Sequence, residues 1–285
     1  MGGNPILVTG SHRSGSTWAG RMLSLPWRVG YVHEPFNPNR SVTCRDQFDK
    51  WYSHTHGAGE GARQCVKQAL RFHYNPFPRL KKGGIRDLGA AGYHLVRSTF
   101  HRWIGSRPLM KDPIALLSAE WLHETFGMDV VVMVRHPAAF AGSLKRRGWT
   151  FPFNDLLCQS KLMDTHLAPY RTEVKAACRE QWTIVEQSAL LWKCLYHVVR
   201  EYQGRHPSWH IVRYEDMATD PRARYKHLYK ELGLRWTSKT GTEIERRTES
   251  KTERWRERLD ASEINHVMET TKAIWKQHYS TEDWK

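Results

Sequence analysis

The sequence predicts an α/β fold: a central parallel sheet, doubly wound, with helices on both faces. Three observations predict it. Five short β-rich runs, at 5–9, 30–33, 108–110, 129–134 and 209–214, each end in a polar or Pro-marked turn. Between them, Asp112-Pro113, His136-Pro137 and Asp220-Pro221 put Pro at a first helical position, two of them behind a capping Asp. Val130-Val131-Val132-Met133-Val134 is apolar throughout, as a parallel strand covered on both faces must be, and is expected at the sheet centre. Strands alternating with helices build βαβ units.

In chain order, the first strand leads into Gly10-Ser11-His12-Arg13-Ser14-Gly15-Ser16-Thr17 and a helix-compatible run over 18–25. The second ends at His33-Glu34-Pro35, the third at Lys111-Asp112-Pro113, and the fourth at Arg135-His136-Pro137 before a helix of small residues. The fifth closes on Tyr214-Glu215. Asp260-Ala261-Ser262-Glu263 has the form of a capping box, opening a helix towards Tyr279. The stretches 37–107 and 145–175 are the least regular and read as insertions. No internal repeat or low-complexity linker interrupts the chain.

At 285 residues the chain has enough material for one large domain, with two small ones still possible. With 44 Lys+Arg against 29 Asp+Glu, the net charge of +15 favours an anionic partner: a nucleotide, an acidic glycan, nucleic acid or a membrane surface. A generally basic solvated surface fits equally well. No nucleic-acid reading module is present, so charge alone gives only non-specific affinity. The five cysteines are odd in number, scattered and without a C-x-x-C pair, which predicts reduced thiols in the cytoplasm. No apolar run nears the roughly 20 residues of a membrane span, and Met1-Gly2-Gly3-Asn4-Pro5 opens no signal-peptide core. A soluble chain is expected; an anchor lost by truncation stays open.

Strand, glycine-flanked loop and helix make a phosphate site, because loop N–H groups and a helix N-terminus converge on an anion. The spacing of Gly10, Gly15 and Thr17 matches a nucleotide P-loop, but Ser16 stands where an ATP-using enzyme has lysine, and the only cation in the loop is Arg13. A chance Gly/Ser turn is the alternative. Arg13-Ser14-Gly15-Ser16-Thr17-Trp18 resembles the 5′-phosphosulfate loop of sulfotransferases that use 3′-phosphoadenosine-5′-phosphosulfate (PAPS). The resemblance implies a P-loop NTPase-like three-layer αβα fold. It also implies that Arg13 neutralises the bridging oxygen, that Ser14, Gly15, Ser16 and Thr17 donate hydrogen bonds, and that Trp18 lies near adenine or in the core.

The segment from Asp129 to Ser143 resembles the 3′-phosphate motif of the same family, in which Arg135 and Ser143 bind that phosphate. Independently, Arg135 leaves a buried strand, and Ala138, Ala139, Ala141 and Gly142 give the next helix a surface that a ligand can approach closely. A tight helix–sheet contact is the competing reading. His136 is given no role. Tyr214 resembles a nucleotide-side residue, with Glu215 no more than a turn acceptor, and the basic run 246–258, with Ser250 and Lys251, resembles a segment closing over the 3′-phosphate or a solvated charged helix.

Sulfuryl transfer needs a base and cations where negative charge grows. Glu34, after the second strand, falls where glycan- and tyrosyl-directed relatives have their base, with strand alternation turning His33 away; a plain surface Glu is the alternative. Lys111-Asp112-Pro113 resembles the segment whose Lys stabilises the leaving phosphate. The insertions are then expected near the acceptor site. The resemblance implies PAPS as co-substrate, PAP (3′,5′-ADP) as product and an acceptor hydroxyl on a glycan, glycolipid or phenol. No metal is called for: His54-x-His56 is a weak pair. Two rivals remain: a P-loop ATP-dependent phosphotransferase, disfavoured by Ser16, and a non-catalytic polyanion-binding protein, in which Glu34 and Lys111 would be dispensable.

Overall fold

The computed structural model describes residues 3–38, 44, 47–55, 59–73, 85–248 and 254–284, without the side chains of 85–88, 90 and 91. Five parallel strands, β1 (Ile6–Gly10), β2 (Val29–His33), β3 (Arg107–Lys111), β4 (Asp129–Val134) and β5 (His210–Arg213), form one sheet in the order β2-β3-β1-β4-β5. Each expected strand is present within a residue or two. The centre is β1, however, with β4 beside it. The apolar run in β4 reports cover on both faces, which one strand off the centre receives equally.

Alternation along the strands splits the core in two. Leu7, Met110, Val130, Val132 and Val134 face one way, and Ile6, Val8, Leu109, Val131 and Met133 face the other. The second face is covered by α1 (Ser16–Leu23) and by Tyr225, Leu228 and Tyr229 of the helix Pro221–Glu231. The first is covered by the helix Pro137–Lys145, the long helix Ile184–Arg205 and the helix Ala261–Trp275. This is a three-layer αβα fold of the P-loop type.

Local signals fix the ends. α1 stops at Leu23, short of the expected 25, because Pro26 disfavours helical backbone in the residue before it. Asp220 accepts from the Ala223 N–H (3.2 Å), and Asp260 and Glu263 form both bonds of their capping box. Asp112-Pro113 instead opens a 3-10 turn (Ile114–Ser118) that runs on into the helix Ala119–Phe126. The irregular stretches also contain helices: α2 (Glu60–Leu70) and α3 (Ile85–Trp103) in the first, and short turns before Arg171–Arg179 in the second.

One expectation about the cysteines is corrected. Cys44 and Cys65 are joined in a disulfide with Cα atoms 5.5 Å apart, leaving Cys158, Cys178 and Cys194 free. An odd total hid a single bond that only the fold brings together. Among the described residues no helix is long and apolar enough to cross a membrane.

Candidate active site

The strand order lays out the site. The loop after β1 emerges at the sheet's C-terminal edge, where open α/β sheets hold ligands. On one side stand the ends of β3 and β2, carrying Lys111 and Glu34; on the other stand the ends of β4 and β5, carrying Arg135 and Tyr214. A cleft of about 1070 Å³ opens over this edge. Arg13, Gly15, Ser16, Thr17, Trp18, Glu34, Arg135 and Tyr214 line it.

The loop owes its path to two glycines. Gly10 has φ of 139°, and a Cβ there would stand 2.4 Å from the Met133 carbonyl oxygen. Gly15 has φ of 94° and lies against the Tyr214 ring, 2.4 Å from where its Cβ would be. Arg13 and Glu34 take positive φ as well (67° and 47°) although neither is glycine. Each such residue costs about 1 kcal/mol or more and persists only where its surroundings enforce it. Here they do. The Tyr196 hydroxyl meets Ser11 Oγ (3.0 Å) and donates to the Met133 carbonyl (3.0 Å), while the His12 N–H donates to the Tyr52 hydroxyl (2.8 Å).

The loop after β1 and the segment after β4 are tied together. Arg135 Nη1 donates to the Arg13 carbonyl (2.6 Å), and Arg13 Nε donates to Ser143 Oγ (3.1 Å). Arg135 also lies over the Tyr214 ring, 4.9 Å from its centre. Burial, then the charges of Arg147, Arg135, Arg146 and Arg258, hold the Arg13 pKa below its ordinary value. Like charges gathered this closely are costly in the free protein and suit a polyanion. Ser14 Oγ, Trp18 Nε1 and Arg135 Nε are buried and make no hydrogen bond to the described residues, so donors stand ready beside this cluster. A nucleotide carrying both a 5′-phosphosulfate and a 3′-phosphate would fit them.

On the other side, Lys111 Nζ donates to Glu34 Oε1, and Asn37 Nδ2 donates to Glu34 Oε2 (2.7 Å). The pairing follows from register: His33 lies opposite Lys111 in the β2–β3 ladder, so the next residue reaches back over the lysine. Lys111 itself is fully buried, and its stem passes Gly20, where a Cβ would come within 2.9 Å of Lys111 Cγ. Burial pushes the Glu34 pKa up, but the hydrogen bond and charge of Lys111, then His33 and Asn37, outweigh it, and the net pKa is lowered. Burial lowers the Lys111 pKa more than Glu34 restores it. His33 is exposed and stacks on Tyr31 (ring centres 6.0 Å apart), yet it too reaches the cleft wall.

Asp112 lies beneath the pair, fully buried, accepting N–H groups from Phe36 (2.7 Å) and Ile114 (3.0 Å). Burial, opposed by these donors and Lys111, pushes its pKa up to about 7. The folded protein therefore keeps a proton that the unfolded chain releases above the ordinary carboxylate range. Across the window from about pH 4 to about pH 7 this group makes stability fall as pH rises, by about 1.4 kcal/mol per pH unit. Glu34, with its pKa depressed, acts in the opposite sense at lower pH. In melting curves at pH 4.5, 6 and 8, Asp112→Asn is expected to lose less melting temperature than the wild type on going from 4.5 to 8. Parallel losses would place the titration elsewhere.

Of the residues singled out in the sequence, Ser14, Lys111 and Ser143 lie under the cleft floor and not on it. Ser250 and Lys251 fall outside the described residues. Glu215 is more than a turn acceptor: half-buried, it accepts from the His136 N–H (3.0 Å) and the Tyr279 hydroxyl (2.9 Å), and desolvation raises its pKa. His136 sits among Trp255, Tyr279 and Trp284, with burial lowering its pKa to about 3. Sequence reasoning missed Arg21, Trp51 and Trp149 as cleft residues. Arg246 and Arg247, at the start of the basic run, line it too.

The chain matches the model of the sulfotransferase family over residues 5–238, most of its length. It belongs to the sulfotransferase family, whose members are enzymes that transfer sulfuryl groups to acceptors. No curated protein matches it. Three solved structures are similar at 14% identity: the sulfotransferase domain from the curacin biosynthetic pathway (84% of this chain, 77% of that one, TM-score 0.46), the sulfotransferase domain from the Synechococcus PCC 7002 olefin synthase (98% and 96%, 0.46) and sulfotransferase STF9 from Mycobacterium avium (96% and 76%, 0.45).

Proposed function

We propose that this chain, as a single domain, transfers the sulfuryl group of PAPS to a hydroxyl of a glycan, glycolipid or phenol. One observation carries the reading: a lysine-free phosphate loop stands in a single cleft between the Arg13–Ser143–Arg135 cluster and the Glu34–Lys111 pair. Loop N–H groups and hydroxyls of Ser14, Ser16 and Thr17 hold the 5′-phosphosulfate. Arg135, with Ser143 released from Arg13, holds the 3′-phosphate, and Trp18 and Tyr214 lie towards adenine. Ser250 and Lys251 are proposed as further nucleotide-binding residues.

Glu34 is the base. Its carboxylate takes the acceptor proton as the acceptor oxygen bonds to sulfur and the bond from sulfur to the bridging oxygen breaks. The charge left on that phosphate oxygen is met by Arg13 and Lys111. When Lys111 turns to that charge, Glu34 loses the partner that holds its pKa down while remaining buried, so its basicity rises as the proton arrives. The Cys44–Cys65 bond speaks against the cytoplasm as the compartment, since disulfides persist where the medium is oxidising.

Nucleotide selectivity tests the donor. In a melting series with PAP, 5′-ADP, 5′-AMP and ATP, each with EDTA and with Mg²⁺, PAP should stabilise most and EDTA should have no effect. A ligand at about 100 times its Kd adds about 2.7 kcal/mol. Arg135→Ala should erase most of PAP's advantage over 5′-AMP. Stabilisation by Mg·ATP and none by PAP would reject PAPS in favour of the phosphotransferase reading.

A further inference from the structure

Helix α3 presents an apolar stripe to solvent. Tyr93 (62% exposed), Val96 (71%), Phe100 (45%) and Trp103 (84%) recur at spacings of three, four and three, which sets them on one face. Apolar side chains this large and this exposed normally turn inward, and several together mark an interaction surface. Of the described side chains of α3 only His101 is buried, against Gly30 of β2. Trp27, 57% exposed, belongs to the same end of the sheet, because it precedes β2 and Arg107, just beyond α3, bonds to the Arg28 carbonyl (2.8 Å).

The charge along the helix is mainly of one sign. Over its length α3 carries Arg86, Arg97 and Arg102 against Asp87 alone. Arg28 adds a cation over the Trp27 ring, 4.7 Å from its centre. A second copy of this chain, itself at +15, would be repelled from such a face. An anionic bilayer offers what both halves need: an apolar layer for the aromatic residues, which favour the membrane interface, and acidic headgroups for the arginines.

We propose that α3 is a peripheral docking helix, laying Tyr93, Val96, Phe100 and Trp103 into the interface of an anionic membrane. The position gives this a consequence. His101 lies over Gly30 and Arg97 acts electrostatically on Tyr31, so the helix passes along the edge strand β2 towards the strand end where the cleft opens. Docking through α3 brings the Glu34 side of the cleft near the membrane surface. The proposal stands on α3 alone and does not depend on which nucleotide the cleft holds.

Co-flotation with vesicles tests it, using phosphatidylcholine alone and with about 30% phosphatidylserine, at about 0.1 M and about 0.5 M NaCl. The full chain should float with the anionic vesicles at low salt, much less at high salt, and not with the neutral ones. Val96→Ser/Trp103→Ser should lower the bound fraction at least tenfold, and Arg97→Glu/Arg102→Glu should do the same, with melting temperatures in buffer unchanged. Absence of wild-type flotation, equal flotation with neutral vesicles, or flotation that both variants retain would overturn the proposal. So would a lower melting temperature in both variants, which would mean that the stripe packs on the chain itself, or a dimer that the serine variant dissolves.

Discussion

Replacing Glu34 by Gln is expected to lower kcat by roughly 10² or more, the range for a positioned general base, while PAP still stabilises the fold. The amide keeps the shape and its one oxygen can still accept from Lys111, but its NH2 cannot accept from Asn37 and it cannot take a proton. It also leaves Lys111 buried opposite a neutral group, so the variant's melting temperature has to be measured alongside its turnover. Near-wild-type turnover would remove Glu34 from the chemistry. Loss of PAP binding together with turnover would make its role structural.

Lys111→Met should cost about 3 kcal/mol in kcat/KM, in line with other preorganised electrostatic contacts, and little in PAP affinity. It should also move the pH profile. As the proposed base Glu34 would work deprotonated, and Lys111 is the main influence holding its pKa below the ordinary value against the effect of burial. Without that lysine, burial prevails and the pKa rises. The acid limb of kcat/KM should therefore shift to higher pH, so that the variant's deficit is larger at pH 5 than at pH 8. Equal losses in Kd and kcat/KM would make Lys111 a ground-state binder only, and an unmoved acid limb would uncouple it from Glu34.

The loop after β1 was legible in the sequence because its signals are local: a strand, two glycines at fixed spacing and a helix start within a short span. Arg135 and Glu34 were legible for a similar reason, since a residue just past a parallel strand emerges at the site edge in any strand order. The Glu34–Lys111 bond was not. It needs β2 and β3 as neighbours and a register that sets His33 against Lys111, both tertiary facts. The same holds for the Cys44–Cys65 bond and for Tyr52 and Tyr196, whose hydroxyls steady a loop distant in sequence. Trp51 and Trp149 came from the two irregular stretches, where neither periodicity nor caps say which aromatic residue faces inward. The centre of the sheet was misplaced by one strand because an apolar run reports burial, and β1 and β4 are both buried.

The strand order also bears on when the protein can fold. Leu7 pairs with Met110 on one side and Val130 on the other, so the central strand waits on the order of a hundred residues for either neighbour. Until the chain has emerged past β3, Ile6, Leu7 and Val8 have no strand to pair with, and until β4 follows, the loop after them lacks the Arg135 bond to the Arg13 carbonyl. The Arg13 side of the cleft is thus completed only after β4 has been made. Assembly of the sheet centre should limit the rate of refolding, and a chain ending before β3 should display an unpaired apolar strand prone to aggregation.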